Sequence, residues 1–427
     1  MSHFPGASVS ATTLPVAAKV PKQPTTRPWP PAIWALLLTT LVARSFGFAY
    51  PFLSYHLRNL GYTTETVGQV LAVFGVGWLL GQLLTGWAAD RLGRRRTLVT
   101  AMVATAVLLP LLALAHDFAA VCTGSLIAGI VFDAARPVVS ALIADLITDD
   151  AQRAAVNGWR HGAVNIGAAL TGAVGGFLAA HFGFQILFWI NAAACAACAL
   201  IAHRRLPADT PLATTPSSRM PVRAVTRDAR LWLLWAASVF ALTCAAGMFT
   251  ALPMLMEDDG LAASAYGWTQ VANAGTVIAL TPLLTPWLSR RCCGQRPMTG
   301  TLAASSLVLG AGMGSAGLAD STLGYSLAVA AAVPGEIAFF IAASDVLNKI
   351  SPESARGLYA GIWGATLAVA VIIAPVLAAA SLASGGGVLA ALTTLAAGAV
   401  GAALCLPLAG LTHRRTAARA TAVHAVS

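Results

Sequence analysis

The sequence predicts an all-α membrane protein: twelve transmembrane helices arranged as two pseudo-symmetric six-helix bundles. Three observations predict it. The first is composition. The 427 residues are 57% hydrophobic and 10% charged, whereas soluble domains carry about 25% charged residues, so lipid must solvate most of the chain. The second is run length. A bilayer core takes about 20 apolar residues at about 1.5 Å rise each. Runs of that kind fall at 32–55, 67–88, 97–115, 119–144, 158–180, 184–202, 231–255, 266–288, 298–319, 322–346, 359–383 and 387–409. The third is charge sorting. Of 26 Lys and Arg, 23 lie in the two tails and in or at the edge of every second gap between runs, and the opposite gaps hold only Arg58. The remaining two, Arg44 and Arg136, lie inside runs. By the positive-inside rule both termini are cytoplasmic. One missed or invented span would scramble this sorting.

In chain order, residues 1–30 form a polar cytoplasmic tail, rich in Pro and Thr and too long for the start of a cleavable signal. Residues 31–202 form the first bundle, and 203–230 a cytoplasmic central loop rich in Pro, Thr, Ser and Arg. Residues 231–410 form the second bundle and 411–427 a second cytoplasmic tail. The halves read as copies of one unit, as in many transporters. A shift of about 200 residues pairs Pro51 with Pro253, Gly68 with Gly267 and Asp145 with Asp345. It also sets Arg153–Gly158 against Arg356–Gly361. The net charge of +10 is dispersed between spans, which excludes a nucleic-acid surface. Trp29, Trp34, Trp87, Trp159, Trp232, Trp235, Trp268 and Trp287 bracket spans and read as headgroup anchors. Five of the seven cysteines lie in apolar spans and act as small hydrophobes, and Cys292-Cys293 falls on the reducing side.

After the second span comes Gly86-Trp87-Ala88-Ala89-Asp90-Arg91-Leu92-Gly93-Arg94-Arg95-Arg96. Gly86 and Gly93 permit close backbone approach and a tight turn. Asp90 sits at a helix C-terminal end, where an anion needs compensation. This pattern resembles the loop between helices 2 and 3 of the major facilitator superfamily. The resemblance implies that superfamily's fold and alternating access. It also implies a cytoplasmic latch between the two halves, built from Gly86, Asp90, Arg91, Gly93, Arg94 and Asp145. The plain alternative is a charged loop obeying the positive-inside rule. In the second half Ser289 stands where Asp90 does and Arg290 where Arg91 does, so Trp287–Arg296 reads as a decayed copy.

Span five carries Gly167, Thr171, Gly172, Gly175 and Gly176. The run resembles the antiporter motif of drug-exporting members, with Thr171-Gly172 in place of that motif's Gly-Pro. Gly172 and Gly176 also form a small-xxx-small pair for a close helix crossing, which is the alternative reading. The segment Ala135-Arg136-Pro137 through Asp145, with Arg153, Arg160 and Asn165, resembles spans four and five of bacterial drug:proton antiporters.

Four charges fall inside spans, away from their ends: Arg44, Asp133, Arg136 and Glu336. A charge at mid-bilayer costs about 3 kcal/mol or more, so it faces the interior and finds a partner. Asp133 and Arg136 are three residues apart and share a helix face. The half-to-half shift sets Arg136 opposite Glu336. The resemblance implies that spans one, four, seven and ten line the central cavity, where all four would meet in one wet cleft. Glu336 is the expected proton carrier and Asp133 the second choice, with Arg44 and Arg136 neutralising them or holding an anion. A structural ion-pair network is the alternative. Pro137 and Pro334 sit beside these charges and bend their helices.

The expected function is proton-coupled export of a small organic molecule across the cytoplasmic membrane. The partners are that substrate, protons and the bilayer, and the protein works as a monomer without cofactor or metal. There is no Gly-x-x-x-x-Gly-Lys-Ser/Thr loop to use ATP and no catalytic cluster, so the chain is not an enzyme. Uptake of a small, anionic solute is the second reading. A transport-inactive sensor or scaffold is the third.

Overall fold

The computed structural model describes residues 28–209, 225–292, 294, 296–352 and 355–424, without the side chains of 90, 150, 151, 154, 357 and 413–424. Most of the expected N-terminal tail, the middle of the central loop, Cys293, the Asp90 side chain and the basic side chains of the C-terminal tail lie outside the described residues. Among the described residues there is no strand. The helices are α1 (Pro31–Ser45), α2 (Leu53–Asn59), α3 (Thr64–Leu92), α4 (Arg94–Ala113), α5 (Phe118–Phe132), α6 (Ala135–Leu146), α7 (Asp150–Phe182) and α8 (Gln185–Arg205). Then follow α9 (Ala229–Ala246), α10 (Ala251–Asp258), α11 (Ala263–Cys292), α12 (Thr299–Ser315), α13 (Thr322–Ile350) and α14 (Arg356–His424).

Short polar residues start these helices by accepting orphan backbone N–H groups. Thr63 caps α3, Asp117 caps α5, Asp149 caps α7, Asp228 caps α9 and Ser321 caps α13. Gly93, between α3 and α4, has φ +97°, a left-handed conformation open to glycine. A Cβ there would also strike Asp209, whose two carboxylate oxygens accept from Arg95 N (2.7 Å) and Arg96 N (3.0 Å) at the start of α4.

Among the described residues ten helices are long and apolar enough to cross a membrane, and Pro31–Ser45 is a shorter apolar helix. Several expected spans are not single rods. The first breaks between α1 and α2 and the seventh between α9 and α10. In the first break Ala49 N donates to Asn191 Oδ1 at 3.2 Å, which satisfies a backbone group that lipid cannot. The fourth breaks at Asp133–Ala134. Pro137 has no N–H for the Asp133 carbonyl and its ring crowds that carbonyl, so the break falls there. By contrast α13 runs through Pro334 unbroken. The last two expected spans form the single element α14, interrupted at Gly385 (φ −162°, ψ 21°) and Gly386 (φ 62°, ψ −158°).

Within the first half α3 packs on α5, α4 on α8, and α1 on α7 and α8. Within the second, α9 and α12 pack on α14, and α13 on α11 and α12. Two helix pairs make most of the contact between the halves, α7 with α11 and α3 with α14, and α2 meets α10 in a smaller one. Gly172 makes the first approach possible. A Cβ there would collide with the Gln270 side chain and lie 3.0 Å from Gly267 O. At the second, a Cβ on Gly68 would lie 2.6 Å from Ala379 Cβ and 3.0 Å from Pro375 O. Gly68 and Gly267, which the shift of about 200 residues pairs, thus sit one at each crossing. Both crossings lie toward the end that carries α2 and α10, away from the basic loop.

Candidate functional site

The α5–α6 break delivers Asp133 to the interior with its side chain 2% exposed. Its carboxylate joins the C-terminal end of one helix to the N-terminal end of the next, so arginines rather than dipoles decide its environment. Arg44 Nη2, from the last turn of α1, donates to Asp133 Oδ1 at 2.8 Å. Arg136 Nε lies 2.8 Å from Oδ2 as a charge contact without the angles of a hydrogen bond. Thr171 Oγ1 of α7 donates to the Arg44 carbonyl. Gly167, on the same helix, lets α1 approach at Arg44, since a Cβ there would lie 2.5 Å from Arg44 Cβ and 2.9 Å from the Arg44 carbonyl carbon. Arg160 joins the group: its Nη1 donates to Ser140 Oγ at 2.7 Å, and Ser140 Oγ donates to the Arg136 carbonyl at 2.9 Å. A snorkelling Arg160 would instead reach for headgroups. Three arginines therefore surround one aspartate.

Arg44 and Arg136 keep 33% and 43% of their side chains exposed. Charges inside a span avoid lipid, so these faces open onto an internal cleft. A ring cluster forms its roof. Tyr50 stacks on Phe74 at 4.7 Å and meets Phe132 at 5.1 Å, and Trp78 meets Phe132 at 5.4 Å. The Arg136 guanidinium lies 5.9 Å from the Trp78 ring centroid, within cation–π range. Phe249, from the second half, closes on Tyr50 at 6.4 Å. Sequence reasoning missed this roof. The available signal was Trp78, which sits in mid-span while the other tryptophans noted bracket span ends.

Glu336 is not part of this group. It lies on α13 and lines a small pocket with Asn273, Met248 and Met313. Among the described residues it has no ion-pair or hydrogen-bond partner. The expected meeting of four charges is thus a meeting of three, with Glu336 held apart among Met248, Asn273 and Met313.

The profile of the Major Facilitator Superfamily matches residues 35–335. The chain belongs to the major facilitator superfamily. Among curated relatives, a 3-(3-hydroxy-phenyl)propionate transporter of Escherichia coli (strain K12) is 30% identical over 198 residues, 45% of this chain and 48% of the relative. The quinolone resistance protein NorA of Staphylococcus aureus (strain Mu50) is 28% identical over 139 residues, 33% of this chain and 36% of the relative. The matched segments thus span half or less of these relatives. Among solved structures, a POT family transporter in complex with a thioalcohol conjugated peptide superposes with TM-score 0.75 at 14% identity, covering 89% of this chain and 96% of that one. The POT family transporter PepTSo superposes with TM-score 0.74 at 15% identity, covering 91% and 99%. These likenesses carry the fold. Family and relatives are transporters, not enzymes, and the chain is a multi-pass membrane protein.

The superfamily's loop motif takes a local form here. Arg94 pairs with Asp145 and also donates to the Ala141 carbonyl at 2.6 Å. Both partners belong to α6, so these contacts tie α4 to α6 inside the first half and do not bridge the halves. Arg91 lies over the Trp87 ring at 5.3 Å, and no Cβ clash guards Gly86. In the second half Arg291 lies over Trp287 at 4.0 Å, so the arginine stacked as Arg91 is stacked is Arg291 and not Arg290. Asp345, the counterpart of Asp145, accepts from Met298 N at 3.0 Å and pairs with Lys349 at 2.7 Å.

The span-five glycines divide between two faces. Gly167 admits Arg44, and Gly175 admits Phe48, where a Cβ would lie 2.9 Å from Phe48 Cδ1. Gly172 and Gly176 admit α11, the latter within 2.8 Å of Ser264 Cα. Among the described residues no cluster of three metal-ligating side chains occurs.

Proposed function

We propose that this superfamily member is a secondary active transporter that exports a small organic molecule in exchange for protons. Two bundles, residues 31–202 and 231–410, rock about a midplane cleft. Twelve crossings are the count this reading uses. The stretch Leu358–Thr412 holds 55 residues, about 80 Å of helix at 1.5 Å per residue, against a core of about 30 Å. The glycine break at 385–386 divides it into two crossings, and α1 with its broken continuation adds the first. Charge sorting puts both termini in the cytoplasm. The close crossings at Gly172 and Gly68 then seal the outer end, and the arginine cleft faces inward.

The observation that carries proton coupling is Glu336, a carboxyl inside a span with no counter-ion among the described residues. Such a group exchanges a proton rather than holding a fixed charge, whereas Asp133 is committed to two arginines. Similarity to the quinolone resistance protein favours export. In acid-loaded proteoliposomes with a luminal pH dye, adding norfloxacin or 3-phenylpropionate should alkalinise the lumen. Glu336→Gln should abolish that signal. A Glu336→Gln protein that drives uphill transport as well as wild type refutes the assignment. The second reading, uptake of an anionic solute, is favoured by one observation: Arg44, Arg136 and Arg160 face a single carboxylate.

A further inference from the structure

We infer that the cleft at the α5–α6 break takes a small aromatic carboxylate, its carboxylate on Arg136 and its ring against Phe132, with Phe249 closing from the second half. The inference rests on the transporter reading but not on the direction or the coupling ion.

Charge comes first. Arg44, Arg136 and Arg160 lie within electrostatic reach of one another and of Asp133. Asp133 neutralises one of the two arginine charges deep in the spans, which leaves an excess of one there, and Arg160, nearer the start of α7, adds a second positive charge beside it. No other carboxylate among the described residues pairs with these arginines. A surplus cation at this depth calls for an anion from outside the chain.

Geometry says what kind. Arg136 spends its Nε on Asp133, and its two terminal nitrogens hydrogen-bond nothing among the described residues. That planar fork matches a carboxylate in bidentate fashion, and 43% of the side chain is open to the cleft. Beside it stand rings. Phe132 and Phe249 are only partly buried, and behind them lie Tyr50, Phe74 and Trp78. Tyr50 is 4% exposed, and its hydroxyl is buried without a partner. A buried hydroxyl without a partner is costly, and a polar substituent on a bound ring would satisfy it. An inorganic anion would answer the charge but would leave the rings and the hydroxyl unused.

Counterflow in proteoliposomes, with no proton gradient and no membrane potential, reads substrate class alone. Labelled 3-phenylpropionate should accumulate against excess unlabelled compound inside. Unlabelled 3-phenylpropionate should compete at a concentration at least about tenfold below that of 3-phenylpropanamide, which lacks the charge, a difference of about 1.4 kcal/mol. It should also outcompete 3-cyclohexylpropionate, which lacks the ring. Arg136→Gln should abolish counterflow. Arg136→Lys, which keeps the charge on Asp133 but not the fork, should weaken it while the acid still beats the amide. Phe132→Leu should erase the preference for phenyl over cyclohexyl. Equal competition by acid and amide, or by phenyl and cyclohexyl acids, overturns the assignment. Exchange of 3-phenylpropylamine, which carries a ring but no carboxylate, without exchange of 3-phenylpropionate sinks the substrate class and leaves the transporter reading intact. Failure to exchange any compound sinks both.

Discussion

Replacing Asp133 with Asn tests whether the arginine cluster is one electrostatic unit. Two arginines each approach the carboxylate at 2.8 Å. Removing one partner of a buried ion pair costs about 3–5 kcal/mol, because the other charge stays behind uncompensated. Here the arginine ends are 33% and 43% exposed, and that access to water screens part of the loss. The expected destabilisation is therefore about 2–3 kcal/mol, or a fall of about 5 °C in the unfolding midpoint. Removing the ion-paired charges together, as Asp133→Asn with Arg44→Gln and Arg136→Gln, leaves only Arg160, which keeps its hydrogen bond to Ser140. Groups that form one network are not additive, so the triple variant should return to within about 1 kcal/mol of wild type. Thermal unfolding in detergent, followed by tryptophan fluorescence, measures both. An Asp133→Asn protein that melts with wild type refutes the reasoning. So does a triple variant less stable than the single one.

Two further outcomes follow from other parts of the fold. Gly172→Val has no room against Gln270 and Gly267. It should destabilise the protein by about 1–3 kcal/mol, the usual cost of overpacking, and raise labelling of a Ser264→Cys reporter by an impermeant maleimide. Gly162→Val, with nothing within 4 Å of its new Cβ, should do neither. At the start of α9, burial pushes the Asp228 carboxyl up, but hydrogen bonds from Arg230 and Tyr359 and the Arg230 charge outweigh it and hold the group below the usual carboxylate range. A depressed folded value contributes stability that is fully present above the unfolded value of about 3.9 and is lost as pH falls through the folded value. Tyr359→Phe should therefore lower the melting temperature at pH 6, with the deficit shrinking toward pH 2.5. A deficit that does not change with pH would refute this account.

The loop after the second span shows how far residues alone can go. Gly93 reads as a turn glycine from its place between two apolar runs, and the structure gives it φ +97°. The carboxylate it makes room for, Asp209, lies over a hundred residues away, and no local pattern links the two. Arg94 and Asp145 were legible as charges at span ends. That they join α4 to α6 within one half follows from helix placement. The aromatic roof was the least legible part, because in a chain where nearly every wall is apolar a cleft-lining ring looks like a lipid-facing one. Trp78 was the exception, set apart by its depth in the span.

The sequence by itself determined that this chain lives in lipid, that it is helical and that it belongs among facilitator-type transporters. Run length, charge sorting and short-range motifs are local quantities that bilayer thickness and the cost of burying charge act on directly. Only the tertiary structure decided which intramembrane charges meet. Asp133 gathers Arg44, Arg136 and Arg160 because Pro137 breaks its helix there and Gly167 lets α1 approach α7, while Glu336 stays apart on α13. Such meetings depend on the rotation and crossing of helices, which packing between distant segments sets and a hydropathy pattern does not encode.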